Sequence, residues 1–274
     1  ENLSKMACII NERRAIGRRG LGTVMGAKRL KAIAVRGHQE VPVADPEGFK
    51  KARQFMNQAM KSSAKLYSKF ALNGTPGTLD LACGLGILPA KNWAETGIFE
   101  PVATLGLENN RTRKIGRERC HNCPVACSMV KLVPEGRHAG TLTEGPEFET
   151  LYSFGSQTGV EDIDSIIVAD RLCDELGLDT ISAGVVIGFA MELFEKGILS
   201  KEETDGVELN FGNDEAMLEL ISKIAYRQGF GDTISDGVKA AAERIGRGSE
   251  QYAIHIKGLE LPGYDVRGAK AHGL

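Results

Sequence analysis

The feature that most constrains this chain is a run of closely spaced cysteines, Cys120, Cys123 and Cys127, in the pattern C-x2-C-P-x2-C. Half of the six cysteines in the sequence lie within residues 120–127. Such spacing brings several thiolates onto one short loop, which is how proteins hold an iron-sulfur cluster or a zinc ion. The run therefore predicts a metal centre rather than a disulfide, because cysteines this close together cannot join distant segments.

An iron-sulfur cluster fits this pattern better than zinc. Zinc ligands usually come as two pairs separated by a dozen or more residues, and no second C-x2-C or H-x3-H pair follows here. His121 is a poor zinc ligand because it directly follows Cys120. A four-iron cubane takes four ligands, so the fourth is either Cys8, Cys83 or Cys173 or lies outside this chain.

Size and composition indicate a globular protein with one large or two ordinary domains. The chain has 274 residues, of which 26% are charged and 42% hydrophobic. A net charge of -2 argues against a nucleic-acid or anionic-membrane partner. No apolar run approaches the roughly 20 residues of a bilayer span and no signal peptide opens the chain, so a cytoplasmic location is predicted. The sequence does not begin with Met, and we expect it to be part of a longer protein.

Apolar periodicity and helix-ending residues predict a mainly helical body. Asp45 and Pro46 suit an N-cap and first helical position, opening a helix to about Leu72. Further helices are predicted over residues 161–176, 181–194, 214–227 and 232–245, the first ended by Gly177. Residues 30–35 and, more loosely, 252–261 are strand-like.

Residues 13–22 combine glycines with arginines. Glycines let backbone amides approach an anion closely and arginines add bidentate phosphate contacts, so the stretch has the chemistry of a phosphate cradle. A glycine-rich turn with a solvated basic face fits it as well. It is not a dinucleotide fingerprint, because the strand-like run follows it instead of preceding it.

Two acidic stretches leave a similar choice open. Glu144, Glu147 and Glu149 surround a Gly-Pro pair and predict either a helix start or a general acid or base. The corner from Asp174 to Asp179, D-x-x-G-L-D, can accept hydrogen bonds from an NH-rich ring such as a pterin or purine, but these are also ordinary turn residues.

Together, these stretches resemble the aldehyde:ferredoxin oxidoreductase family of tungsten enzymes. The matching stretches are residues 14–26, 88–92, 120–127, 145–151, 174–181 and 261–268. The resemblance covers the chain nearly end to end. It implies a mainly α fold: a helical middle domain of a tungstopterin oxidoreductase following a β-rich remnant. The expected domains are residues 1–44, the remnant of a β-rich pterin-binding domain; 45–251, a helical cluster- and pterin-binding domain; and 252–274, the start of a C-terminal helical domain.

The resemblance also implies a chemistry. Members hold a bis-pterin tungsten cofactor without protein ligands to the metal, with a 4Fe-4S cluster nearby and Mg²⁺ bridging the pterin phosphates. An aldehyde is oxidised by water to the carboxylic acid, and electrons leave through the cluster to ferredoxin or another carrier. A homodimer is a further expectation. Some relatives reduce aromatic thioesters instead.

Residue roles follow from the matching motifs. The expected cluster ligands are Cys120, Cys123 and Cys127. The expected pterin and phosphate contacts are Arg14, Ala15, Gly17 and Arg18, with Asp174, Gly177, Leu178 and Asp179 of the corner. Glu149 is expected beside the tungsten, assisting proton transfer.

Some family features are missing from this sequence. The second pterin corner, the fourth cluster cysteine and an active-site histidine normally lie beyond residue 274, so the chain alone is expected to be inactive. Val168 stands where some members have a glutamate for a bridging iron, so no bridge is predicted. Two other classes remain open: a non-catalytic iron-sulfur electron-transfer module and a zinc-stabilised helical interaction domain.

Overall fold

The structure is a computed structural model that describes residues 2–97, 99–100 and 102–269. It confirms the mainly helical fold. The predicted last domain, 252–274, lies partly outside the described residues. Within the described ranges, no helix has both the length and the apolar character that a membrane span requires.

The centre of the fold is α9, Thr180–Glu195, which is apolar and buried around nearly its whole circumference. It packs against α7, α10 and α12, as well as a π-helix. Before it lies α8, Ile163–Leu176, which begins at the Asp162 cap and ends at Gly177 with φ of +70°. After it come α10, Asp214–Tyr226, α11, Phe230–Ile234, and α12, Val238–Ile245. The single helix predicted over 232–245 is therefore wrong, because the chain turns at Gly237 with φ of +92°.

A short helix, α7 (Phe148–Leu151), runs directly into a π-helix at Tyr152–Ser156. This pair lies on α9 where two glycines permit close backbone contact. A Cβ at Gly184 would lie 2.5 Å from the Ser153 carbonyl, and one at Gly188 would lie 2.7 Å from the Gln157 carbonyl oxygen. The four-residue spacing puts both glycines on one face of α9.

The strands form small antiparallel sheets. The largest joins β5, Lys114–Glu118, β6, Ser128–Leu132, and β7, Leu142–Glu144, in that order. The others are hairpins that pair β1, Ile9–Asn11, with β2, Arg14–Ile16; β3, Pro89–Ala90, with β4, Glu95–Thr96; and β8, His255–Ile256, with β9, Leu259–Glu260. The three-stranded sheet was not predicted from the sequence.

The remaining helices lie mostly toward the surface: α1, Leu21–Ala27; α2, Pro46–Ser62; α3, Ala64–Asn73; α4, Gly77–Gly84; α5, Val102–Leu105; α6, Leu107–Thr112; and a 3-10 turn at Ser249–Tyr252. The Asp45 cap is confirmed, since its carboxylate accepts a hydrogen bond from the Gly48 amide. The helix expected to run on to Leu72 is interrupted at Ser63.

The strand predicted over residues 30–35 is wrong for the described structure. This stretch has no regular secondary structure, and Val35 is 87% exposed. A strand needs a partner strand for its backbone hydrogen bonds, and no described strand pairs with this stretch. Within residues 2–44, the regular elements of the expected β-rich remnant are the β1–β2 hairpin and α1.

Candidate cofactor site

The three clustered cysteines lie on the loop that connects β5 to β6. Strand pairing continues to both ends of the loop, which fixes its ends at one edge of the sheet. The Cys123 amide donates a 2.9 Å hydrogen bond to the Cys120 carbonyl, and Arg117 donates to the carbonyls of the two residues before Cys127. No disulfide joins the thiols; Cys120 is exposed, whereas Cys123 and Cys127 are half-buried. The sequence therefore folds locally into an accessible set of thiols.

The three cysteine sulfurs do not form a compact metal-ligand group in this structure. Among the described residues, three ligand atoms within 4.8 Å of one another occur only at His138, Asp162 and Asp214, where Arg137 pairs with Asp214. The preference for a cluster over zinc at the cysteine loop therefore rests on the spacing of the cysteines in the sequence.

The other cysteines are poor candidates for the fourth ligand. Cys8 donates to the Gly17 carbonyl at 3.0 Å, and burial, with help from Asp179, raises its pKa to about 12. Cys173 is fully buried, and burial raises its pKa as well. Cys83 donates to a backbone carbonyl at 3.1 Å. A cluster needs thiolates, and the burial of Cys8 and Cys173 disfavours that form.

The corner between α8 and α9 is held by the N-terminal segment. The Cys8 amide donates to the Gly177 carbonyl at 2.7 Å, and the Asp179 amide donates to the Met6 carbonyl at 2.9 Å. Gly177 has the left-handed backbone that glycine adopts without strain, and Leu178 is buried in the core. The predicted corner and the N-terminal segment therefore form one unit.

Asp179 caps α9 and also contacts Arg18. One carboxylate oxygen accepts from the Ile181 amide at 3.1 Å; the other accepts from the Ser182 hydroxyl at 2.7 Å and from Arg18 Nε at 3.3 Å. Arg18 also donates to the Glu260 carbonyl at 2.7 Å. Two motifs distant in sequence are thus in contact. Oδ2 accepts two hydrogen bonds but Oδ1 only one, so Oδ1 keeps an acceptor site for a further N–H donor.

Arg14 connects the same N-terminal segment to the cysteine loop. Its guanidinium donates to the Ser128 hydroxyl at 2.8 Å and forms an ion pair with Glu144. Ser128 directly follows Cys127 and donates in turn to Glu147 at 3.1 Å. A polar chain therefore runs from the predicted pterin segment to the residue beside the third predicted cluster ligand.

The other predicted pterin contacts lie around these two. Ala15 is exposed on β2, and the Gly17 carbonyl accepts from the Cys8 thiol. Burial raises the pKa of Asp174 to about 6, while Arg13 and Arg14 act in the opposite direction. Asp174 therefore lies within electrostatic reach of the arginine segment, as a joint site requires.

Glu149, on α7, lies within reach of both Arg18 and Asp179. Its Oε2 accepts a 2.9 Å hydrogen bond from the Gly263 amide. Burial raises the pKa of Glu149 above its ordinary value, and the negative charge of Asp179 adds to this. The Gly263 bond and the positive charge of Arg18 oppose the rise. A carboxyl in this environment can exchange a proton closer to neutral pH than an exposed glutamate.

Two buried ionisable groups, Lys131 and Asp170, were not identified as site residues from the sequence. Lys131 on β6 is fully buried, donates to Asn110 Oδ1 at 2.6 Å and to the Pro146 carbonyl at 3.1 Å, and has its pKa lowered to about 7 by burial. Burial likewise raises the pKa of Asp170 to about 7, and its carboxyl accepts from Thr143 at 2.6 Å. The sequence signal for Lys131 was a lysine within an apolar stretch shortly after the cysteines. That signal indicates a buried lysine only once the stretch is known to be a strand of the sheet.

The comparisons with known proteins agree with this geometry. A family model described as "Aldehyde ferredoxin oxidoreductase, domains 2 & 3" matches residues 50–274, and one for the N-terminal domain of the same family matches residues 1–37. Tungsten-containing aldehyde ferredoxin oxidoreductases of Thermococcus kodakarensis and Pyrococcus furiosus are each 39% identical over 100% of this chain and 45% of their own length. An aliphatic sulfonate oxidoreductase WOR-like subunit of Pyrococcus furiosus is 31% identical over 97% of the chain and 43% of its own length.

Among solved structures, the active site complex BamBC of benzoyl coenzyme A reductase, in complex with 1,5 dienoyl-CoA, has a TM-score of 0.78 and 25% identity. The match covers 96% of this chain and 41% of that one. Together, the fold and these matches place the chain in one class with relatives that are named as tungsten-containing oxidoreductases. The chain belongs to the aldehyde ferredoxin oxidoreductase family, which confirms the resemblance seen in its sequence.

The names of the two curated relatives at 39% identity describe them as tungsten-containing. The chain spans about 45% of the length of the curated relatives that it matches. The individual site residues and the domain boundaries therefore stay predictions, although the structure brings several of the site residues together.

Proposed function

We propose that the whole protein oxidises a small aldehyde with water to the carboxylic acid and passes the electrons to ferredoxin or another carrier. Aldehyde and water give the acid, two protons and two electrons. The observation that carries the proposal is the position of Glu149, a shielded carboxyl acted on by Arg18 and Asp179. Aldehyde oxidation releases protons, so the site needs a group that can accept one, and the Glu149 carboxyl is such a group.

The N-terminal segment and the α8–α9 corner are proposed to hold the cofactor. When bound, a bis-pterin tungsten centre supplies the two-electron chemistry. Guanidinium groups suit phosphates and carboxylates suit ring N–H groups. The residues that would hold the cofactor are Arg14, Ala15, Gly17, Arg18, Asp174, Gly177, Leu178 and Asp179, and Mg²⁺ would neutralise phosphate charge. The contact between Arg18 and Asp179 supports one joint site.

Glu149 is the proposed catalytic residue, taking a proton as water or substrate reacts. Its burial disfavours the charged form, so it acquires a proton more readily than an exposed glutamate. The Gly263 amide fixes one of its oxygens, leaving Oε1 as the oxygen that we assign to proton transfer. The reaction would therefore need the carboxylate form and slow at low pH.

Cys120, Cys123 and Cys127 are proposed to bind a 4Fe-4S cluster. The polar chain from Arg14 through Ser128 to the residue beside Cys127 supports a short distance between pterin and cluster. We further propose a cytoplasmic location and a homodimer.

Reduction of an aromatic thioester is the second candidate. The likeness to the benzoyl coenzyme A reductase complex favours it, since that match covers nearly the whole chain. The cofactor-binding motifs do not separate the two reactions, because pocket shape sets the choice of substrate.

The first test is a measurement of tungsten, molybdenum, iron, zinc and acid-labile sulfide in the whole protein purified without oxygen. We expect tungsten near one per chain and about four iron atoms, as one cubane requires. Iron and sulfide without tungsten or molybdenum would point to an electron-transfer module, and zinc alone to an interaction domain. Aldehyde oxidation and thioester reduction are then assayed in the wild type and in Glu149→Gln, with Glu243→Gln on the exposed side of α12 as control. Glu149→Gln should lose activity about 100-fold or more while keeping its metals; full activity would refute the proposed role.

A further inference from the structure

The motif at residues 261–268, one of the stretches that resemble the family, contacts Glu149. The Gly263 amide donates the 2.9 Å hydrogen bond to Glu149 Oε2. This is a bond from a segment 114 residues away in the sequence. The orientation of the carboxyl therefore depends on how that segment is held against α7.

Tyr152 holds this segment in place. It is fully buried at the start of the π-helix, and its hydroxyl donates to the Leu261 carbonyl at 3.4 Å. A Cβ on Gly263 would lie 2.8 Å from Tyr152 Cγ and 3.0 Å from Phe148 Cζ, so the backbone is pressed against both rings. Tyr264 also packs on Phe148, with ring centroids 5.1 Å apart. The rings of Phe148 on α7 and of Tyr152 at the start of the π-helix therefore fix the position of the Gly263 amide.

The phenol of Tyr152 stays protonated in this environment. Burial raises its pKa well above the ordinary value and the negative charge of Glu149 adds to this, while the Trp93 and Gln157 side chains oppose the rise. Trp93 Nε1 and Gln157 Nε2 are buried and have no hydrogen-bond partner among the described residues. The hydroxyl of Tyr152 therefore keeps its proton for the Leu261 carbonyl.

The far end of the motif is anchored at the same place. Lys91, Asn92 and Trp93 have φ of 45°, 50° and 68°, a left-handed turn that is strained for residues other than glycine. Arg267 donates to the Trp93 carbonyl at 2.9 Å. The strained turn therefore presents a backbone carbonyl that anchors the motif.

From this geometry we propose that Tyr152 is a positioning residue for Glu149, acting through the Leu261 carbonyl to hold the Gly263 amide against the carboxylate. The inference rests on the proposed function, in which Glu149 accepts the proton. Tyr152 itself is buried and does not contact substrate.

The direction of the effect follows from the groups that face Glu149. Arg18 stabilises its charge, Asp179 opposes it, and Glu149 raises the pKa of Tyr152 and of Tyr264. The Gly263 hydrogen bond favours the charged carboxylate. Loosening that bond therefore raises the pKa of Glu149, and the acid side of a pH profile that depends on it shifts to higher pH.

The test compares the wild-type holoprotein with Tyr152→Phe, which keeps the ring and removes only the hydroxyl. Tyr226→Phe, at an exposed tyrosine on α10, is the matched control. Hydrogen exchange of the peptide covering residues 261–264 is measured first, since it is independent of activity. We expect about tenfold faster exchange in Tyr152→Phe, as for the loss of one buried hydrogen bond, and no change in the control.

The second readout is the titration of the Glu149 carboxyl by infrared spectroscopy, assigned by its loss in Glu149→Gln, together with the pH–rate profile. Both should shift to higher pH in Tyr152→Phe. The inference would be overturned if Tyr152→Phe exchanged and titrated like the wild type. It would also be overturned if the Gly263 amide of the wild-type protein were unprotected from exchange. If Glu149→Gln stays active while Tyr152→Phe still loosens the Gly263 amide, the proposed function fails and the positioning contact stands.

Discussion

Arg18 Nε lies 3.3 Å from Asp179 Oδ2, in a contact between residues 161 positions apart in the sequence. The same carboxylate caps α9 through the Ile181 amide. One aspartate therefore stabilises the central helix and fixes the arginine segment beside it. Because Asp179 has both contacts, substitutions that keep the cap but remove the charge can distinguish its structural role from its proposed cofactor role.

Replacing Asp179 should affect stability and cofactor binding to different degrees. Asp179→Ala removes the cap and should lower the free energy of unfolding by about 1–2 kcal/mol. Asp179→Asn can still cap but loses the charge that pairs with Arg18, so it should cost less. Both variants should bind less tungsten.

The control is Asn213→Ala, which removes the cap of α10. It should be destabilised like Asp179→Ala but keep its tungsten. Full tungsten content in Asp179→Asn would contradict the assignment of this residue to the cofactor.

Replacement of a loop cysteine should remove the cluster. Cys127→Ser exchanges a thiolate for a hydroxyl that iron-sulfur clusters bind poorly, so iron and acid-labile sulfide should fall to less than about half. Cys83→Ser is the control, because Cys83 lies outside the cysteine loop and its thiol donates to the Gly97 and Phe99 carbonyls. If Cys83→Ser loses iron and Cys127→Ser does not, the ligand assignment is wrong.

The close contact between α9 and the π-helix should not tolerate a methyl group. Gly184→Ala would place a Cβ 2.5 Å from the Ser153 backbone, and overpacking of this kind costs about 1–3 kcal/mol. Gly84→Ala, at an exposed helical glycine with nothing within 4 Å, should be neutral or stabilising. Urea unfolding measures both. Equal stability of the two variants would mean that α9 and the π-helix can move apart without lowering the free energy of unfolding.

Lys131 should make stability depend on pH. Its pKa is lowered from 10.5 to about 7 in the folded protein. Between these values the unfolded chain binds a proton that the folded protein does not, so the free energy of unfolding rises with pH, by at most about 1.4 kcal/mol per unit.

Lys131→Met should therefore lose part of the rise between pH 8 and pH 10 that the wild type shows in urea unfolding. The comparison of the two proteins isolates this residue from the thiols and phenols that titrate in the same range. Lys239→Met, at an exposed lysine, should follow the wild type. Parallel curves for all three proteins would show that Lys131 keeps an ordinary pKa.

The sequence by itself determined the local features. Helix periodicity and caps located α8, α9 and α10, because these signals act within a few residues. The spacing of Cys120, Cys123 and Cys127 predicted a metal centre for the same reason, and the ordered motifs led to the family. The predicted strand over residues 30–35 failed because a strand depends on a partner elsewhere in the chain.

Only the tertiary structure decided which distant groups meet. The contact of Arg18 with Asp179, the hold of Gly263 on Glu149 and the burial of Lys131 join segments far apart in the sequence. Their electrostatic consequences depend on desolvation and on neighbours in space. No local pattern encodes these, so the chemistry of the site became readable only once the chain was folded.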